Sequence, residues 1–440
     1  MNIITLSILV GLSIVAIIVL TSRFKLNVFV ALFLVSLFLA FTTLPSKSIV
    51  SVLKDGFGST MASIGFLIIL GTIIGIALDK AGGALSIAKY ILSKTGEKRS
   101  AAALGITGFI TGLPNFCDSG FIILSGLCRS LSAKSGLSRP FMATVLATSL
   151  YSVHCLIPPH PGALAAAGIM NVNIGHLIII GIIFAIPGAL IAFFWSKWIS
   201  KANRFTPSSD GDIFTDYGEL PSVFRSFLPI VAPLLLITLR SLLMIKTGDN
   251  RGLIAEIIII VGEPIFALTI GAVLALTLLN KSKNTLNDIF KESLEKAGPI
   301  LIITAAGGMF GAVIKATGTG ETLGKALSEA NMGLLAPFII AVIMKTAQGS
   351  STVAIITTAS FVSQMLPALG LDSEAGRLFT MLAIGSGSMI VSHANDSYFW
   401  VISNFSEIDS KDTLKVYSTS TIVMGTFIFA LVWLTSVFVL

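Results

Sequence analysis

Stretches of about 20 apolar residues recur from Ile3 to Leu440 with mostly short polar links between them, and this recurrence limits the possible folds more than any single motif. A segment of that length crosses the hydrocarbon core of a bilayer as a helix. Charged residues make up 12% of the chain, roughly half the usual share of a soluble domain, too little to coat a soluble protein of this size. The chain therefore reads as an all-α polytopic membrane protein with no soluble module. Its net charge of +7 does not indicate nucleic acid, because the basic residues sit in links rather than along one face. No Lys or Arg precedes the first apolar stretch and no small-residue cleavage pattern follows it, so that stretch is expected to stay as a helix. Cys117, Cys128 and Cys155 are odd in number and lack metal-ligand spacing. They are expected to be packing thiols, with no disulfide framework, metal or cofactor.

Ten full crossings are expected, at 3–21, 27–44, 61–78, 141–157, 174–195, 226–245, 253–279, 298–314, 378–392 and 416–440. Two further apolar regions, 101–128 and 333–369, are interrupted by Gly, Pro or hydroxyl residues and are expected to be re-entrant hairpins. With both termini outside, 20 of the 29 Lys and Arg fall in cytoplasmic links, as the positive-inside rule requires. Arg240, Lys315 and Lys345 remain within or at the ends of membrane segments. The same orientation opens the first hairpin on the cytoplasmic side and the second on the outer side.

An internal repeat underlies this pattern. Gly75-Ile-Ala-Leu-Asp-Lys-Ala-Gly-Gly83 is similar to Gly311-Ala-Val-Ile-Lys-Ala-Thr-Gly318 with one gap, and each is followed by an amphipathic stretch and a broken hairpin. After each hairpin comes an Arg-led helix ending in a polar break: Arg139 and Phe141 precede His154, and Arg377 and Phe379 precede His393. The two halves start in opposite directions, so they are inverted. The expected division is N-terminal scaffold helices at 1–60, a first repeat core at 61–170, scaffold and a cytoplasmic loop at 171–296, a second repeat core at 297–400 and a last helix at 401–440. Inverted repeats with paired interrupted segments are a mark of secondary transporters, which bind substrate near the midplane.

Backbone at membrane depth survives without helical hydrogen bonds only when buried in protein or lining a wet cavity, which draws attention to four breaks. They are Gly112-Leu-Pro-Asn-Phe-Cys-Asp-Ser-Gly120, His154-Cys-Leu-Ile-Pro-Pro-His-Pro-Gly162, Thr346-Ala-Gln-Gly-Ser-Ser-Thr352 and Ser392-His-Ala-Asn-Asp-Ser-Tyr-Phe-Trp400. Half-helix N-termini at such breaks favour an anion, so a carboxylate substrate fits without an arginine. The expected binding residues are Asn115, Asp118, Ser119, His154, His160, Gly349, Ser350, Ser351, Thr352, His393, Asn395 and Asp396. Ionisable groups inside a membrane are costly and functional by default. Asp118, His154, Asp396 and Glu263 are accordingly the candidates for carrying a proton, with an interhelical hydrogen bond the competing role for Glu263.

The breaks resemble those of the gluconate:proton symporter family of the ion transporter superfamily. The likeness rests on His154 with Pro158-Pro-His-Pro-Gly162, Ala306-Gly-Gly-Met-Phe-Gly311, Gly349-Ser-Ser-Thr-Val-Ala354, and Ser392-His-Ala-Asn-Asp396 with Phe399-Trp400. It implies proton-coupled uptake of gluconate or a related small hydroxylated acid across a bacterial inner membrane. The superfamily resemblance implies a homodimer whose transport units move against a fixed scaffold. The chain departs from the family pattern at Pro114-Asn-Phe-Cys-Asp-Ser119, where the family's first hairpin usually carries a Glu with bulky apolar neighbours. Two other readings are open: sodium coupling through Asn115, Ser119, Ser351, Asn395 and tip carbonyls, with D-serine or glycerate among the substrates, and an intramembrane hydrolase using Ser386 and His393 on one helix face.

Overall fold

A computed structural model describes residues 3–96, 99–114, 116–203, 205, 219–246, 252–279 and 283–440. Every regular element among them is helical. The chain begins with α1 (Ile3–Ser22) and α2 (Val28–Thr43). A 35-residue helix, α3 (Ser46–Lys80), leads to a short α4 (Gly83–Thr95). Two helix pairs follow, α5 (Ser100–Gly112) with α6 (Cys117–Ser135), and α7 (Arg139–Leu156) with α8 (Pro161–Met170). Next come α9 (Ile174–Ala202), α10 (Val223–Lys246), α11 (Leu253–Val261) and α12 (Pro264–Leu276). The earlier order then recurs: a 35-residue α13 (Lys283–Thr317), a short α14 (Thr319–Glu329), the pair α15 (Leu335–Gln348) and α16 (Ser351–Val362), and the pair α17 (Glu374–Gly387) and α18 (Ser397–Phe405). A short α19 (Ser410–Thr413) continues through a π-helical turn into α20 (Thr419–Val439).

The two glycine motifs noted in the sequence occupy matching junctions. Gly82, between α3 and α4, and Gly318, between α13 and α14, are both left-handed, with φ of 72° and 71°, a conformation that glycine adopts without steric cost. The long helices α3 and α13 pack against one another closely enough that a Cβ on Gly56 would meet the carbonyl oxygen of Gly308 at 2.9 Å. Small residues at that crossing let the two backbones approach.

Helix α7 forms the centre of the molecule, and all of it from Pro140 to Leu156 is buried under α5, α6 and α9. On the outside, α9, α10 and α20 expose Phe194, Leu235, Trp433 and Phe438, the apolar face a bilayer accepts. Many hydroxyls within the helices return their protons to carbonyls one turn back, as Thr72 does to Ile68 at 2.8 Å and Thr148 to Thr144 at 2.8 Å. Such bonds satisfy the hydroxyl within its own helix.

Six helices among the described residues are long and apolar enough to cross a membrane, or seven if one bent pair counts as a single span. Ten crossings were expected, and part of the difference lies in segments that hydropathy runs together. The 253–279 segment is divided into α11 and α12, bent by 71°. Pro264 starts the second of them, and at Gly262 even a Cβ would overlap Leu236 and Arg240 of α10. The 378–392 segment starts earlier, at Glu374, and ends at Gly387. Conversely, 61–78 and 298–314 are parts of the two 35-residue helices, whose polar halves a hydropathy window leaves out.

Candidate functional site

All four expected breaks separate helices. At the first, α5 ends at Gly112 and α6 starts after Phe116, whose apolar side chain leaves the α6 N-terminus without a side-chain cap. At the second, α7 ends at Leu156, and α8 starts with Pro161, which at the first helical position forfeits no hydrogen bond. At the third, Gly349 closes α15 in the left-handed region (φ 83°), and Ser350 caps α16 by accepting from the Val353 N–H. At the fourth, 388–396 is irregular before Asp396 caps α18, its Oδ1 accepting from the Tyr398 N–H at 3.0 Å.

The breaks meet. Gly162 lies against Thr352, where a Cβ would come within 3.1 Å of the Thr352 Cα, and Gly349 lies against the Asn395 backbone. Phe116 packs edge-on to His160, ring centroids 5.5 Å apart, and His160 lies 3.4 Å from His154 by the same measure. Phe121 of α6 packs edge-on to Tyr398 of α18. The short helices therefore pack across the two halves of the chain, α8 on α16 and α18 on α6.

Between these ends and α13 lies a cavity of about 240 Å³. Water occupies about 30 Å³ per molecule in the liquid and drug-sized pockets run to roughly 300–1,000 Å³, so this one suits a small metabolite. Part of its wall is apolar, with Ile300 and Ile303 of α13 and Val353 and Ile356 of α16. The polar part of the wall holds Asp118, His154, Ser350, Ser351, Thr352 and Asp396. Tyr151 and Tyr398 also line it, with Phe116, Cys117 and Ser397. The two tyrosine hydroxyls donate to the carbonyls of Ser388 (3.3 Å) and Ala147 (3.1 Å), which anchors the two rings across α7.

A buried ion pair supports this wall. The Lys345 ammonium is fully enclosed and donates to Asp396 Oδ2 at 2.6 Å and to the Gly349 carbonyl at 2.5 Å. It stands over the Tyr151 ring, 5.6 Å from the centroid. The Ser392 hydroxyl also donates to Asp396. Asp396 thus has its charge matched by Lys345. Asp118 forms no salt bridge among the described residues, its one polar contact there being the Cys117 thiol at 3.7 Å.

Six of the expected binding residues line the cavity: Asp118, His154, Ser350, Ser351, Thr352 and Asp396. The His154 Nε2 is 3.3 Å from the Thr352 hydroxyl, and its Nδ1 has no hydrogen-bond partner among the described residues. His160 and Gly349 stand behind that layer. Ser119 faces Lys296, whose ammonium donates to it at 3.2 Å. Asn395 holds the second tip by donating from Nδ2 to the Thr346 carbonyl at 2.7 Å. His393 is half-buried in the irregular stretch and does not line the cavity, so its sequence likeness to His154 is not a likeness of position. Asn115 lies outside the described residues.

Glu263 does not join the group. It sits at the α11–α12 break, partly exposed and paired with Arg240, and it does not line the cavity. Nor do Ser386 and His393 share a helix face, because α17 ends at Gly387 and the Ser386 hydroxyl donates to the Ala383 carbonyl at 2.8 Å. Sequence reasoning missed Lys345 and the two tyrosines. A signal for Lys345 was present: it is the only ionisable residue in 333–369, and Asp396 is the only acid in 378–400. Opposite charges isolated in two apolar segments are natural partners.

An all-helical bundle with membrane-length spans, enclosing a polar cavity where interrupted helices meet, defines a membrane transport protein. The chain matches the GntP family permease family over residues 3–438 and belongs to it. It is 32% identical to the inner membrane permease YgbN of Escherichia coli, over 98% of this chain and 99% of that one. It is also 32% identical to the gluconate permease of Pseudomonas aeruginosa, over 92% of each. Its fold is similar to that of the Alcanivorax borkumensis YdaH transporter, with a TM-score of 0.65 and 13% identity, covering 96% of this chain and 98% of that one. The chain is a permease, not an enzyme.

Proposed function

We propose that this permease imports gluconate or a related small hydroxylated carboxylate together with a proton. The observation that carries the reading is Asp118: an acid with no salt bridge among the described residues, lining a cavity onto which half-helix N-termini open. The uncapped start of α6 offers backbone N–H groups and the positive end of a helix dipole to a carboxylate. Ser351, Thr352 and Tyr151 surround the remaining volume, where a hydroxylated chain would lie. Two carboxylates crowded into one site cannot both stay ionised, so an anion enters beside Asp118 together with a proton that neutralises it. The gluconate permease of Pseudomonas aeruginosa, similar over most of its length, supports the substrate class.

Proton rather than sodium coupling is supported by the second tip. Its Gly349 carbonyl accepts from Lys345 and its Thr346 carbonyl from Asn395, so a resident ammonium supplies the positive charge a sodium ion would bring. Loop charge and the recurring element order support termini on the outer side and hairpins opening on opposite faces, and the superfamily resemblance supports a homodimer in which the hairpin and broken-helix units move against a scaffold.

The test is uptake of labelled gluconate, glycerate and D-serine into proteoliposomes under an imposed pH or sodium gradient. Accumulation driven by external acid supports the reading, and uptake that ignores the pH gradient rejects it. Labelling of cysteines introduced at Ser130 and Asp372 checks orientation, with cytoplasmic and external access expected respectively.

A further inference from the structure

We infer that Lys296 is a selectivity residue at the cytoplasmic mouth of the cavity, where it takes the carboxylate of a departing or returning substrate in place of the hydroxyl of Ser119. This rests on the transport reading above, whose topology sets Lys296 on the cytoplasmic side, and assigns a residue to the inward-facing binding step. On α13, Lys296, Ile300 and Ile303 follow one another at helical spacing on one face, and the two isoleucines line the cavity. Lys296 comes one turn earlier, with its side chain 37% exposed, which sets it at the edge rather than inside. Its ammonium reaches Ser119 at 3.2 Å, next in sequence to the cavity-lining Asp118.

The charge around Lys296 suits an anion. Its other partner, Glu292 at 3.1 Å, also binds Lys80 at 2.7 Å. One carboxylate is thus shared by two ammonium groups, and the triad carries one net positive charge. Inside, Asp118, Asp396 and Lys345 together carry one net negative charge. A small acid at the cytoplasmic mouth therefore meets its attraction at Lys296 and its repulsion at Asp118. The hydroxyl of Ser119 is a neutral acceptor, and a carboxylate forms the stronger, charge-assisted bond, so exchange of Ser119 for substrate is favourable. The exchange also releases the first hairpin tip from α13, since Ser119 belongs to α6 and Lys296 to α13.

The test compares wild type with Lys296→Gln, Lys296→Arg and Glu292→Gln by gluconate transport kinetics in inside-out membrane vesicles, where the cytoplasmic mouth faces the medium, and by ligand-induced thermal shift of the purified protein. Lys296→Gln is expected to raise KM about tenfold with little change in maximal rate, the loss of one partly exposed charge-assisted contact. Lys296→Arg is expected to restore most of the affinity, and Glu292→Gln to lower KM by freeing the ammonium. An unchanged KM in Lys296→Gln, a fall in maximal rate alone, or a KM rise shared equally by Lys296→Arg overturns the inference. The thermal shifts separate the two claims. If wild type ignores gluconate but is stabilised by glycerate or D-serine, and Lys296→Gln loses that response, the substrate reading fails and the role of Lys296 stands. If none of the three acids stabilises wild type, both fail.

Discussion

Lys345 and Asp396, 51 positions apart, form an ion pair 2.6 Å long that is closed off from solvent, with 0% and 5% side-chain exposure. The pair joins the C-terminal end of α15 to the cap of α18, so a cavity-lining acid is held electrostatically from behind. Burying two charges costs several kcal/mol each, and their attraction repays this only with good geometry and further hydrogen bonds. Gly349 and Ser392 supply those bonds.

Removing one partner strands the other charge. Lys345→Met and Asp396→Asn are each expected to destabilise the protein by about 3–5 kcal/mol. The double variant is expected to lose clearly less than the sum. Melting of the detergent-purified proteins measures the cycle, and additive losses would show that the two residues act independently.

Asp118→Asn removes the acid proposed to take the proton while keeping its size. Uphill uptake driven by external acid is expected to disappear, whereas exchange of internal for external gluconate continues, because exchange needs no net proton movement. A variant that still concentrates gluconate on a pH gradient as wild type does would move the proton site elsewhere.

Gly349 and Gly318 are both left-handed, at φ 83° and 71°, but a Cβ on Gly318 meets open space and one on Gly349 collides with the Asn395 backbone. Gly318→Ala is expected to cost about 1 kcal/mol of conformational strain. Gly349→Ala adds the collision, for a loss of about 1–3 kcal/mol and a sharp fall in uptake, since the second tip must shift. Equal melting shifts in the two variants would contradict this packing account.

Glu263 provides the contrasting case. Its pair with Arg240 is partly exposed on both sides, and such pairs contribute about 0–1 kcal/mol. Glu263→Gln is expected to keep both gluconate uptake and its dependence on external acid, which parallel proteoliposome assays of Glu263→Gln and Asp118→Asn would measure. Loss of coupling in Glu263→Gln would place a proton site at the α11–α12 break.

Local chemistry made the breaks legible. Pro158 to Pro161 cannot continue a helix, Gly349-Ser-Ser supplies a left-handed residue and a cap, and Asp396 has the short side chain that caps α18. Each outcome depends on a few adjacent residues, so a single sequence announces it, and the long apolar stretches announce the membrane in the same way. What lies between the breaks was not legible. Lys345 belongs to the site because α15 points it at a carboxylate 51 residues on. Glu263 does not, because α10 presents Arg240 to it at a bend that hydropathy reads as one continuous span. His154 and His393 look equivalent along the chain, yet one lines the cavity and the other stands outside it. Where the chain breaks is a property of its local sequence, but which charges meet there is decided by tertiary packing, because Coulomb pairing and cavity lining depend on distances in space between residues far apart in the chain.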